Sequence, residues 1–63
     1  MIKWYVEYIV GDDSQAWGSI MVSLPQERIS VSGLQEIIRR ISVKENVPEI
    51  EVAIDNIAKI SSN

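Results

Sequence analysis

Cysteine, histidine and phenylalanine are absent from these 63 residues, and proline occurs only twice. Without cysteine there is no disulfide framework and no thiolate metal site. Without histidine there is no imidazole ligand and no ready general base near neutral pH. Zinc sites and most nucleophile–base pairs are thereby excluded, leaving Asp, Glu, Lys, Tyr and Ser for any chemistry, and an enzyme is not expected. Basic residues are also scarce: six Lys and Arg face nine Asp and Glu, a net charge of −3. A duplex-binding protein ordinarily needs the opposite balance to displace counterions, so nucleic acid is a poor first expectation. No apolar run is long enough to span a membrane and no basic-then-apolar leader follows Met1, so with no cysteine the expected location is cytoplasmic. No cofactor, metal or small-molecule substrate is expected. Gly11, Gly18 and Gly33 are too far apart for a phosphate loop, and Asp12, Asp13 and Ser14 supply too few oxygens for a calcium loop.

What is present is a high apolar content, 46% of a chain with room for one domain over residues 1–63. A core of this size supplies only roughly 3–5 kcal/mol. With disulfides and metals gone, close packing or self-association must supply the remainder, and a homodimer is expected.

From Ile2 to Val10 the side chains alternate, with Ile2, Trp4, Val6, Tyr8 and Val10 on one face and Lys3, Tyr5, Glu7 and Ile9 on the other. That period of two, rich in aromatic and β-branched residues, predicts a strand. The polar stretch Gly11–Gln15 predicts a turn, and alternation resumes from Ala16 to Leu24 before Pro25 ends the ladder, so the two strands form a hairpin. Gly18, in mid-strand, marks either a bulge or a close approach of a neighbouring group. Leu34, Ile37, Ile38 and Ile41 recur at helical spacing, with Gln35, Glu36, Arg39 and Arg40 opposite, which predicts an amphipathic helix of about three turns. Its start has two readings: Ser32 with Gln35 as a capping box, or Ser30 as the cap with Ile29 and Leu34 as a hydrophobic staple. Lys44 suits the negative pole, and Asn46 before Val47-Pro48 marks the exit.

The segment Glu49 to Ile60 fits two periods. As a helix it gathers Ile50, Ala53, Ile54, Ile57 and Ile60. As a strand it gathers Ile50, Val52, Ile54, Ala58 and Ile60, with a bulge near Asp55-Asn56 to account for Asn56. Its content of Ile and Val, and the marginal stability of a lone hairpin, favour the strand. The expected fold is therefore α+β, a ββαβ chain with a three-stranded antiparallel sheet in the order 2-1-3 and one helix packed on one face. Trp4, Val6, Tyr8, Ile20, Val22, Val52 and Ile54 then meet Leu34, Ile37, Ile38 and Ile41 in the core.

The start Lys3-Trp4-Tyr5-Val6, the second strand centred on Gly18, the lead from Pro25 to Ser32 and the close Ile54-Asp55-Asn56-Ile57 together resemble the short accessory proteins of bacteriophage and prophage genomes. The resemblance covers most of the chain and carries no catalytic signature. It implies a protein that acts by binding, since some members of that broad class bind and inhibit host proteins, and it assigns no functional residue.

One helix covers one side of a sheet. Tyr5, Ile9, Trp17 and Met21 point to the other side, where cross-strand aromatic and Met groups form an apolar patch, and such a patch on a small protein signals an interface. Trp and Tyr are also enriched among the residues that dominate binding energy. The expected function is a non-enzymatic protein–protein interaction or assembly module that binds a larger protein, forms a homodimer through the open face or an edge strand, or does both. The alternative is a small nucleic-acid-binding module in which the sheet aromatics stack bases and Lys3, Arg39, Arg40 and Lys59 meet phosphates. The acidic stretch Glu45, Glu49, Glu51 and Asp55 reads as a solvated surface that keeps a strand edge from pairing.

Overall fold

A computed structural model describes residues 1–25 and 28–62, with backbone alone at 61 and 62. Strands β1 (Ile2–Val10) and β2 (Ala16–Leu24) form the hairpin, helix α1 spans Val31–Glu45, a single 3₁₀ turn covers Glu49–Glu51, and β3 runs from Val52 to Ser62. The sheet order is β2-β1-β3 with both pairings antiparallel, so the chain has the ββαβ fold that its periodicities imply. The segment with two possible periods is a strand. The lead from Pro25 to Ser32 passes through residues 26 and 27, which lie outside the described residues.

The alternation of β1 becomes its burial. Ile2, Trp4, Val6, Tyr8 and Val10 are all buried, and with Val22, Leu24, Ile37 and Ile41 they form the core. Val6, Tyr8, Ile37 and Ile41 have no exposed surface, and each aliphatic side chain so buried contributes about 1.5–3 kcal/mol. Ile20, Val52 and Ile54 are half-buried against this cluster, joined by Ile29, Val47 and Ile57. Leu34 and Ile38, both expected in the core, are half-buried because they flank the helix stripe centred on Ile37 and Ile41.

Helix α1 starts at Ser30, whose Oγ accepts from the Gly33 amide at 3.1 Å. Ile29 packs on the core beside it, so the Ser30 reading of the start holds over the Ser32 one. It ends at Asn46, the only described non-glycine residue with positive φ, at 57°. There the Val47 amide donates back to the Ser42 carbonyl, Ser42 Oγ donates to the Val47 carbonyl at 2.5 Å, and Val47 returns the chain to the core.

Strand β3 departs from simple alternation. Glu7 pairs with Asn56 but Tyr8 pairs with Ile54, so Asp55 is an extra residue with no partner on β1. Beyond it the phase slips by one. Ile57, not Ala58, lies opposite Val6 on the helix side, and Ala58 turns to the open side opposite Tyr5. Ile50 and Ile60 do not join the core face either. Ile50 belongs to the 3₁₀ turn and is 93% exposed, and a second slip leaves Ile60 unpaired between Lys59, opposite Trp4, and Ser61, opposite Lys3.

Candidate protein-binding face

The register between strands orders the open side of the sheet into rungs. Ile9 lies between Trp17 and Ala53, Glu7 between Ser19 and Asn56, Tyr5 between Met21 and Ala58, and Lys3 between Ser23 and Ser61. The four residues expected to form one patch are thus on one face, as two directly opposed cross-strand pairs, Ile9–Trp17 and Tyr5–Met21. A polar rung separates them, with Asn56 Nδ2 donating to Glu7 Oε1 at 3.4 Å. Trp17 is 69% exposed and Met21 55%, while Tyr5 and Ile9 on the central strand are half-buried. The rung pattern requires the pairing register, because Asn56 aligns with Glu7 only through the bulge at Asp55.

The cations of the nucleic-acid alternative are not gathered on this face. Arg39 and Arg40 lie on α1, across the sheet, and both are bound to Glu36, at 2.6 Å from Arg39 Nη2 and 2.8 Å from Arg40 Nε. Lys59 stands opposite Trp4 on the helix side, and Lys3 alone belongs to the open side. These arginine bonds, Arg39 first, hold the Glu36 carboxyl down at about 2.

The helix side holds a polar cluster that sequence inspection does not single out. Tyr8 Oη donates to Glu45 Oε2, and Lys44 Nζ donates to Tyr8 Oη at 2.8 Å while lying 5.5 Å from the ring centre. Burial, reinforced by the bond to Glu45, pushes the Tyr8 phenol above its ordinary range, with Lys44 opposing. Glu45 is held low, by Tyr8 first and Lys44 second, and Lys44 is raised, by Tyr8 first and Glu45 second. A phenol kept protonated between a carboxylate and an ammonium is a clamp between helix and sheet. The signal available in advance is Gly18, which the hairpin register sets opposite Tyr8. A Cβ there would stand 2.6 Å from the Tyr8 ring, so the glycine marks a close approach and not a bulge.

Asp12, Asp13 and Ser14 are exposed in the hairpin turn, and Glu49 and Asp55 are exposed along the acidic stretch. Glu45 and Glu51 are half-buried, and Glu45 joins the clamp while staying partly exposed. Among the described residues no acidic group of three or more is arranged to hold a metal, no pocket is enclosed, and no helix is long and apolar enough to cross a membrane. Set against protein-family models, curated proteins and solved structures, the chain matches none.

Proposed function

We propose that this chain is a non-enzymatic, cytoplasmic binding module whose open sheet face docks on a larger protein, in keeping with its resemblance to phage and prophage accessory proteins. One observation carries the reading: Trp17 and Met21 stand well exposed beside Tyr5 and Ile9 on the side of the sheet opposite α1. Large apolar side chains ordered on a flat surface are what an interface centre needs, and the separating Glu7–Asn56 rung supplies a polar element that fixes orientation. The absence of an enclosed pocket among the described residues suits recognition by a surface.

The test compares wild type with the Trp17→Ser/Met21→Ser variant, both immobilised and exposed to host extract. A protein retained by the wild type, lost with the variant and then bound as purified protein in calorimetry supports the reading. Identical retained sets from the two chains overturn it.

A further inference from the structure

The two edges of the sheet are built differently. β3, the longer edge, is interrupted twice, by Asp55 and by Ile60, and carries Asp55 and Lys59. Bulges and charges are the usual devices that stop an edge from pairing with another chain. β2 has neither. Its register with β1 runs unbroken from Ile2–Leu24 to Val10–Ala16, and its nine residues, AWGSIMVSL, include no charge and no proline.

The direction of its amides follows from one hydrogen bond. The Gly11 amide donates to the Glu51 carbonyl at 3.1 Å, which makes Val10–Val52 a non-hydrogen-bonded pair. The backbone groups of Val10 therefore face β2, and alternation along β1 gives the same direction to Tyr8, Val6, Trp4 and Ile2. Across the ladder, Ala16, Gly18, Ile20, Val22 and Leu24 face β1. Trp17, Ser19, Met21 and Ser23 turn their N–H and C=O groups outward. Lys44 Nζ, reaching over the Tyr8 ring, touches one of these at 3.4 Å, the Ser19 carbonyl. That long contact is replaceable by an incoming amide, and Lys44 keeps Tyr8 and Glu45.

We propose that the β2 edge pairs with β2 of a second copy, antiparallel about a two-fold axis at Ile20, joining two sheets into one. This surface is separate from the open face and goes beyond the reading above. A second copy is the occupant because the strand is self-complementary over its full length. In this register Ser19 exchanges hydrogen bonds with the partner's Met21 and Trp17 with the partner's Ser23. Ile20, half-buried in the monomer, meets its own copy, Gly18 meets the partner's Val22, and no charged strand residues are opposed. Trp17 comes within diagonal reach of the partner's Met21, so the two open faces become one wider face. The contact is one strand pair, so a weak, concentration-dependent association is expected.

Sedimentation equilibrium on the full chain tests this. The wild type should dimerise, and Ser19→Pro and Ser23→Pro, which remove outward N–H groups without touching the β1 ladder, should weaken dimerisation at least tenfold with unchanged circular dichroism. Trp17→Ser should weaken it about threefold or less. In this cysteine-free chain, Ile20→Cys should oxidise to a covalent dimer, whereas Asp55→Cys on the other edge should not, which keeps the test decisive should the proline variants unfold. A wild type monomeric up to about 1 mM, or equal cross-linking at both edges, overturns the proposal and leaves the open-face reading standing. A dimer dissolved by Trp17→Ser and untouched by Ser19→Pro also overturns it, and assigns the association to the open face.

Discussion

Tyr8 and Gly18 depend on each other. The ring lies over the glycine backbone, and its hydroxyl is held by Glu45 and Lys44, so it has little freedom to move aside for a new methyl group. Gly18→Ala should lower stability by about 1–3 kcal/mol in urea denaturation, the usual cost of overpacking a filled site. Adding Tyr8→Phe should not rescue it, because ring carbons Cζ and Cε1 stand as close to the added Cβ as the oxygen does. Rescue would locate the strain at the hydroxyl. Sequence narrows Gly18 to two meanings, and only the residue opposite it decides between them. Trp4 is less legible: its ring is buried as alternation predicts, yet among the described residues its indole N–H finds no acceptor. No pattern of residue types signals that.

At the level of elements, helix α1 is well marked. Its Ser30 and Asn46 caps are of the residue types that supply a side-chain acceptor at one end and tolerate positive φ at the other. Gly33 inside the first turn is the misfit. It is buried, but a Cβ there would meet Ser30 Oγ at 3.4 Å and Leu24 Cδ1 at 3.8 Å, which is ordinary contact. Gly33→Ala should therefore stabilise the chain by about 0.5–1 kcal/mol, read from the urea midpoint, because the helix regains the difference in backbone entropy. A lower midpoint would show that the Ser30 cap cannot give way. β3 is the contrasting case. Its existence follows from β-branched content, but the slip at Asp55 belongs to two strands at once. One strand's sequence suggests a bulge near Asp55-Asn56 without showing that Ile57 becomes core and Ala58 surface.

For the whole molecule, charge sets the pH range of stability. Glu36 is held at about 2 against an ordinary 4.5, so its bonds to Arg39 and Arg40 contribute fully above 4.5, and that contribution is lost as pH falls toward 2. Glu45 acts in the same direction. Tyr8 and Lys44 are both raised, so their contributions hold below the ordinary 10.0 and 10.5 and are lost as pH rises through the folded values. Stability should be flat at intermediate pH and fall at both ends, with a modest acid limb because the pair is at the surface. Glu36→Gln should flatten that limb in urea midpoints taken from pH 6 to 2, and an unchanged limb would assign it to other carboxylates. The topology also separates the two strand closures by loop length. The hairpin can close across residues 10 and 16, while β3 must bring residue 52 back to residue 10. Loop-closure entropy favours the hairpin by about 2 kcal/mol, since the cost grows only logarithmically with loop length. A chain in which only the hairpin has formed would leave one side of β1, central in the finished sheet, bare. In such a chain another molecule's β3 would fit the vacancy as well as its own, and dilution would favour its own.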